Sequence, residues 1–164
     1  MLSALNWRVS IPATTASRLK NQLDCLPILL QGLKEGALEN SPAGGKWSAR
    51  ENLAHLARYH QIFSGRLDRI LREDRPAISR YAAEEDAAWP LWATLPSGEV
   101  LSRLAALRAE LMERVEGLSN SELARTGVHS RLGEMTIVEW LEFFLLHEAH
   151  HLMLVLQRSR QFTP

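Results

Sequence analysis

The sequence contains a single cysteine, Cys25, so it can form no disulfide within the chain and no cysteine-rich zinc site. Its 19 basic and 19 acidic side chains cancel, and this balance gives no support for nucleic-acid binding. No apolar run reaches the roughly 18 residues that a membrane span needs. Residues 1–10 also lack the charged and apolar regions of a secretory signal. These absences predict a cytoplasmic protein with neither a nucleic-acid nor a membrane partner.

What the sequence does contain is enough apolar material for one hydrophobic core. Hydrophobic residues make up 46% of the 164 residues, and a chain of this length normally forms one domain. We therefore expect residues 1–164 to fold as a single domain. Cys25 lies in an apolar stretch, from Leu23 to Leu30, and is predicted to be a small buried residue rather than a reactive thiol.

Four segments carry apolar residues at spacings of three and four, the pattern of amphipathic helices. They run from Pro12 to Leu38, from Ser48 to Asp74, from Ser97 to Gly117 and from Thr136 to Ser159. Pro27 is expected to kink the first helix, because proline lacks a backbone donor and clashes with the preceding turn. No segment shows a convincing alternating strand pattern.

The helix ends and the long connection between the second and third helices predict the architecture. Capping boxes, in which a hydroxyl residue is followed three positions later by glutamate, occur at Ser48 and Glu51, Ser119 and Glu122, and Thr136 and Glu139. Residues 75–96 form a crossover that can hold a short helix, so helices two and three are not simple hairpin neighbours. The predicted fold is all-α, a four-helix bundle with a long crossover between helices 2 and 3.

The fourth helix carries a pair of histidines at metal-ligand spacing. On a helical wheel His147 and His151 share the apolar side with Trp140 and Phe144, whereas His150 points away. Residues four apart stand one above the other on the same face, so both imidazoles can reach one ion. The pair therefore predicts two ligands of a bound metal, against the alternative of two core histidines satisfied by polar neighbours.

Residues 147–151 also match the H-E-x-x-H pattern of zinc proteases. Only 13 residues follow His151, and such an enzyme needs a third ligand, a cleft and normally a larger fold. We therefore interpret the match as a coincidence of helical spacing. For a third ligand in a bundle, the second helix offers His60 on its apolar stripe and His55 beside it, and spacing does not choose between them.

Two stretches of the sequence resemble the DinB-like (YfiT-like) family of metal-dependent proteins. Residues 46–56 contain Trp47, Ser48, Glu51 and His55 in the order W-S-x-x-E-x-x-x-H-L, and residues 133–140 with 147–152 resemble the closing helix of the family. The two stretches have the expected order and separation. The resemblance covers roughly residues 19–157.

The resemblance implies a bacterial four-helix bundle in which one histidine of the second helix and two of the last hold a divalent metal. Carried over, these ligands are His55, His147 and His151. Zinc or nickel is expected first, then iron or copper. Relatives that use low-molecular-weight thiols imply a thiol-dependent transferase or isomerase acting on a small molecule. A metal-dependent hydrolase and a non-catalytic metal-binding or stress-response module are the alternatives, and the family implies a homodimer.

Several neighbouring residues are weaker candidates for the site. Glu148, near the inward face, is a candidate hydrogen-bond acceptor, fourth ligand or general base, or else a partner for an arginine at the bundle seam. Glu51 precedes His55 by one turn and could orient it, although its capping role suffices. Four tryptophans could wall a pocket, although core packing is the first expectation for each: Trp47, Trp89, Trp92 and Trp140. His129 and His150 are expected to be exposed.

Overall fold

The structure, a computed structural model, describes residues 10–33 and 36–161. Residues 1–9, which carry most of the argument against a secretory signal, lie outside the described residues. The helices of the described residues are α1 Ala13–Asn21, α2 Leu26–Leu29, α3 Ala49–Arg72, α4 Trp89–Thr94, α5 Ser97–Glu116, α6 Asn120–Leu123 and α7 Ile137–Gln161. The strands are β1 Ala77–Ile78, β2 Thr126–His129 and β3 Gly133–Thr136. None of these helices combines the length and the apolar character that crossing a membrane requires.

The long helices form the predicted four-helix bundle. Helix α3 packs against both α5 and α7, and α1 packs against α7. Capping boxes fix the helix starts as expected: the Ser48 hydroxyl accepts from the Glu51 N–H, and the Glu51 carboxylate accepts from the Ser48 N–H. The crossover of residues 75–96 contains α4, so the expected short helix is confirmed.

The first helix is shorter and more broken than predicted. Helix α1 ends at Asn21, a 3₁₀ segment follows over Gln22–Cys25, and α2 ends at Leu29. Pro27 lies in the first turn of α2, where its missing N–H costs nothing, whereas in a continuous helix it would break a hydrogen bond. Cys25 in the 3₁₀ segment is only half-buried, so the prediction of a buried cysteine is wrong.

A small sheet, which the sequence did not reveal, packs beside the bundle. Strand β1 pairs with β2 in parallel, and β2 pairs with β3 antiparallel, with His129 opposite Gly133. Strands of two to four residues are too short to show an alternating pattern. Gly127 in β2 lies so close to α3 that an added Cβ would stand 2.8 Å from Cγ1 of Ile70, so the approach of sheet and helix requires glycine there.

His129 is buried at the end of β2, and the prediction of an exposed residue is wrong. Its Nδ1 accepts hydrogen bonds from the backbone N–H groups of Arg131 and Leu132, each at 3.1 Å. Its ring packs against Trp140 at 5.5 Å between centroids. The imidazole therefore closes the hairpin turn, which explains its burial without a metal.

Two apolar clusters build the core and meet near the middle of α3 and α7. One contains Tyr59, Phe63 and Phe144, and the other contains Leu53 and Leu152. On α7, His147 and His151 fall between Leu145 of the first cluster and Leu152 of the second, whereas on α3 His55 lies within the second cluster, one turn before Tyr59 of the first. The core thus places polar side chains at the junction of two apolar regions.

Candidate metal centre

Helix α7 presents His147 and His151 on one face, one turn apart. Their ring centroids are 4.7 Å apart, as expected of an i, i+4 pair. His151 is buried and His147 half-buried, whereas His150 between them is exposed, as the helical wheel predicted. Only the first two can contribute to a site inside the bundle.

Helix α3 brings His55 to the same point from across the bundle. Its Nε2 lies 3.2 Å from Nε2 of His147, and its ring centroid lies 4.3 Å from that of His151. One nitrogen from each of the three rings lies within 4.8 Å of the others. We call these three residues the histidine cluster.

Asn52 fixes the orientation of His151, and sequence reasoning missed it. The Asn52 amide nitrogen donates to the Ser48 carbonyl at 2.8 Å, so its oxygen faces His151 and accepts from Nδ1 at 2.9 Å. A histidine that donates from Nδ1 keeps the lone pair of Nε2 for a ligand. The buried Asn52 therefore selects the tautomer that binds metals.

The other two rings have nitrogens without partners. Nδ1 of His55 and Nδ1 of His147 are buried, and neither forms a hydrogen bond with any described residue. Buried polar atoms of proteins are nearly always hydrogen-bonded, and one left unsatisfied costs about 1–3 kcal/mol. Within the described residues, the one polar contact of either ring is therefore the contact between the two Nε2 atoms, where the rings converge.

Burial keeps all three imidazoles neutral near pH 7. Desolvation, with a smaller effect of His150, lowers the pKa of His55 to about 4. Desolvation and the neighbouring histidines lower the pKa of His147 to about 2 and that of His151 to about 3. A neutral imidazole carries the lone pair that a metal requires, because a protonated ring cannot bind a cation.

Aromatic rings surround the cluster. Trp47 lies 5.0 Å from His55 and 4.9 Å from Trp89 between ring centroids. Tyr59 lies 4.0 Å from His147, and Tyr81 stacks on His55 at 5.6 Å. Of the four tryptophans considered from the sequence, Trp92 and Trp140 are buried in the core, whereas Trp47 and Trp89 wall the cluster.

The donor set fits a divalent ion. Two nitrogens that bind one zinc ion at about 2.0–2.1 Å in a tetrahedral arrangement stand about 3.3 Å apart, close to the 3.2 Å between Nε2 of His55 and of His147. Imidazole ligands suit zinc, nickel, copper and iron. No carboxylate of the described residues joins the cluster. Three protein ligands leave positions open, as in catalytic rather than structural sites.

Glu148 lies next to His147 in the chain, but its carboxylate faces another group of residues. It is fully buried and accepts hydrogen bonds from Arg108 and from Gln22, the latter at 2.8 Å. Arg108 also donates from Nε to Nε2 of His60 at 3.1 Å. We call Gln22, His60, Arg108 and Glu148 the arginine network. Glu148 therefore has the arginine partner that the sequence analysis considered.

His60 is the histidine of α3 that the structure does not bring to the cluster. Its Nδ1 donates to the Leu56 carbonyl at 2.8 Å, and its Nε2 accepts from Arg108. Desolvation and the Arg108 charge lower the pKa of His60 to about 3. Glu51 contacts Ser48 and Ser41 and has no hydrogen bond to His55, so its capping role accounts for it.

Comparison with known proteins agrees with this geometry. The sequence profile of the DinB superfamily matches residues 18–155. A protein of Oceanobacillus iheyensis named "Putative metal-dependent hydrolase" is 29% identical over 141 residues, which cover 80% of this chain and 78% of that protein. YuaE of Bacillus subtilis is 24% identical over 135 residues, which cover 75% of this chain and 83% of YuaE.

Among solved structures, the fold is similar to that of YfiT from Bacillus subtilis, with a TM-score of 0.74. The alignment covers 94% of this chain and 91% of YfiT at 22% identity, which shows a common fold. YfiT is described as "a probable metal-dependent hydrolase with an unusual four-helix bundle topology".

Proposed function

The chain belongs to the DinB superfamily, and from this premise we propose that it is a divalent-metal-dependent hydrolase whose ligands are His55, His147 and His151. The observation that carries the proposal is the convergence of three neutral imidazoles with no fourth ligand among the described residues. The names of the relatives from Oceanobacillus iheyensis and of YfiT support the same reaction class. Zinc or nickel is the proposed ion.

A divalent ion held by these imidazoles supplies Lewis-acid chemistry, because it lowers the pKa of a water or thiol ligand and polarises a substrate oxygen. The chain supplies the rest. Asn52 orients His151, and the rings of Trp47 and Trp89 shield the cluster from bulk water. Exclusion of water strengthens every electrostatic interaction inside the site.

Tyr59 is placed to hold a proton beside the cluster. Burial raises the pKa of Tyr59, so its hydroxyl stays protonated at neutral pH. The hydroxyl oxygen accepts from Arg66 at 2.7 Å, which leaves its own proton for another acceptor. Because its ring contacts His147, Tyr59 can donate this proton to a substrate oxygen or a leaving group.

Thiol-dependent group transfer is the second candidate, and one observation favours it. A general base that accepts a proton from water is usually a histidine or carboxylate, but no described carboxylate joins the histidine cluster. Glu148 and Asp86, the nearby acids, each bind an arginine. A thiol would depend less on such a base, since a divalent ion held by His55, His147 and His151 would acidify a bound thiol more strongly than a bound water.

Activity measurements with matched variants test the proposal. Zinc-loaded and nickel-loaded protein should hydrolyse members of a panel of nitrophenyl esters, phosphodiesters and anilides. His151→Ala should abolish this activity, whereas His150→Ala, which changes the exposed neighbour, should keep it. Equal rates in both variants would show that the hydrolysis does not use the cluster.

Thiol binding separates the second candidate function, group transfer, from the first, hydrolysis. In cobalt-loaded protein, 2-mercaptoethanol should produce a sulfur-to-cobalt charge-transfer absorption if the open position accepts thiolates. Thiol binding without hydrolysis of any substrate in the panel would favour group transfer. Hydrolysis that thiol binding inhibits would favour the hydrolase.

A further inference from the structure

A cavity of about 320 Å³ opens beside the histidine cluster. It shares His147 with the cluster, and we call it the arginine cavity because three arginines line it. Its lining includes Arg66, Arg80, Arg131, Tyr59, Tyr81 and His147. Among residues 10–33 and 36–161, no aspartate or glutamate lines it. The volume lies at the small end of the range for ligand pockets, roughly 300–1,000 Å³, and suits a small metabolite.

Arg66 is a buried charge without a carboxylate partner. Only 8% of its surface is exposed, and its guanidinium donates to the Tyr59 hydroxyl at 2.7 Å and to the Ser79 carbonyl at 2.9 Å. No carboxylate of residues 10–33 and 36–161 lies within ion-pair distance of it. These bonds use two of its five N–H groups. The guanidinium also lies over the rings of Tyr59 and Trp140, at 5.4 and 5.8 Å from their centroids, but no described carboxylate pairs with its charge.

Arg80 and Arg131, on the outer side of the cavity, are also unpaired. Both are exposed, and neither guanidinium forms an ion pair or hydrogen bond within the part of the chain that the structure describes. By contrast, Arg58 binds Asp86 and Arg75 binds Glu134. Three of the arginines that have no acidic partner among the described residues therefore lie around one cavity, where a ligand could enter beside His147. Others, such as Arg50 and Arg125, lie elsewhere and donate to backbone carbonyls.

Three guanidinium groups surround one cavity, and no described carboxylate lies within ion-pair distance of any of them. A buried charge is costly unless it is paired, and guanidinium matches the geometry of carboxylate and phosphate through paired N–H donors. An anion in the cavity would supply the missing charge.

We propose that the arginine cavity binds a carboxylate or phosphate group and holds it beside the histidine cluster, so that the substrate is a small organic anion. This inference rests on the proposed function, because it names the substrate class of the same site. The anionic group binds at Arg66, Arg80 and Arg131, and the rest of the molecule reaches over His147 to the open side of the cluster. The Tyr59 hydroxyl, which Arg66 positions, lies between the two.

Calorimetric titration at low ionic strength tests this assignment. The probes are glutarate, inorganic phosphate and glutaramide, which has the length of glutarate without its charge. They are titrated into the zinc-loaded protein and into protein stripped of metal by a chelator. Arg80→Gln with Arg131→Gln removes the two exposed arginines without disturbing buried Arg66. The matched control, Arg72→Gln with Arg160→Gln, removes the same charge at exposed positions away from the cavity.

We expect glutarate or phosphate to bind the wild type, with glutaramide showing no binding. The cavity variant should bind the anion at least tenfold more weakly, and the control variant should match the wild type. The better anion identifies the group as carboxylate or phosphate. No anion binding, equal binding of glutaramide, or equal loss in both variants would overturn the inference.

Titration of the metal-stripped protein distinguishes a failure of this inference from a failure of the proposed function. The arginines do not depend on the ion, so the stripped protein should still bind the anion. A protein that binds the anion but never binds metal would contradict the proposed function and leave the anion site standing. A protein that binds metal and no anion would contradict only the anion site.

Discussion

Two groups of buried polar side chains lie side by side on α3 and α7, and their hydrogen bonding differs. In the arginine network, Arg108 donates to His60, Leu19 and Glu148, and Gln22 donates to the other carboxylate oxygen. In the histidine cluster, two buried nitrogens have no described partner. His147 belongs to one group and Glu148, the next residue, to the other.

The difference separates a structural role from a binding role. A buried network whose members satisfy one another makes a core unique and rigid, and it leaves nothing for a ligand. In the histidine cluster, Nε2 of His55 and Nε2 of His147 have only each other as partners among the described residues. His151 donates from Nδ1 to Asn52, so its Nε2 keeps a lone pair for something outside the chain. Burial of histidine therefore does not by itself indicate a metal site, since His60 is as buried as His55.

The largest expected effect comes from breaking the arginine network. Arg108→Met leaves the buried Glu148 carboxylate without its cation, and loss of one partner of a buried pair costs about 3–5 kcal/mol. We expect the free energy of unfolding of the metal-free protein to fall by that amount in urea titrations followed by circular dichroism. Zinc stoichiometry under native conditions should stay unchanged.

The control for this prediction is on the same helix. Arg103→Met removes an exposed pair with Glu99, and exposed pairs contribute at most about 1 kcal/mol. If Arg108→Met abolished zinc binding in folded protein, the two groups would be one functional unit and the comparison would fail.

Substitutions of Asn52 test whether the histidine cluster depends on the hydrogen bond that orients His151. Asn52→Leu keeps the volume but removes the acceptor for Nδ1 of His151, and loss of such a supporting bond typically lowers metal affinity 10–100-fold. Asn52→Asp keeps an acceptor and should retain the affinity. Competition with a fluorescent zinc chelator measures both. Equal affinities in all three proteins would show that Asn52 does not orient the ligand.

Acidification should lower the free energy of unfolding of the metal-free protein, because its buried histidines are neutral in the folded state. Burial lowers the pKa of His55 to about 4 and that of His151 to about 3, whereas the unfolded state titrates near about 6.5. Between these values the unfolded chain binds more protons, so the free energy of unfolding falls as pH drops below about 6.5. The expected loss is roughly 1 kcal/mol per buried histidine by pH 5.5.

Urea titrations from pH 7.5 to 5.5 check this dependence. His151→Ala should make it shallower, because one buried titrating group is gone. His150→Ala changes an exposed ring that makes only a smaller contribution to these lowered pKa values, so it should change the slope less than His151→Ala does. A slope that His150→Ala reduces and His151→Ala does not would contradict the assignment of buried, neutral rings.

The long helices could be predicted because their signals are local. A capping box and an apolar stripe lie within one segment, and α3 and α7 begin where these signals predict. The break in the first helix was missed because a 3₁₀ turn keeps residues three apart on one side, so the stripe from Leu19 to Leu30 continues through it. The sheet was missed because its strands are too short for a pattern.

In the candidate site, too, local sequence patterns identify some residues, whereas the role of others depends on distant parts of the chain. His147 and His151 are one turn apart, so a helical wheel selects them and rejects His150. The choice of His55 over His60 required the family resemblance, because it depends on Arg108, which reaches His60 from another helix. Asn52 acts on a residue 99 positions away, and the unpaired state of Arg66 depends on every chain segment around it. The structure brings the three predicted ligands together, and metal binding itself stays a prediction.

The central claim is that the histidine cluster, and not the arginine network, binds one divalent ion. Its most direct test is the zinc content of tag-free protein after zinc addition and gel filtration, measured by mass spectrometry with inductively coupled plasma. We predict one zinc per chain in the wild type and in His150→Ala, and none in a folded His151→Ala. No zinc in the wild type, or full zinc content in folded His151→Ala, would contradict the claim.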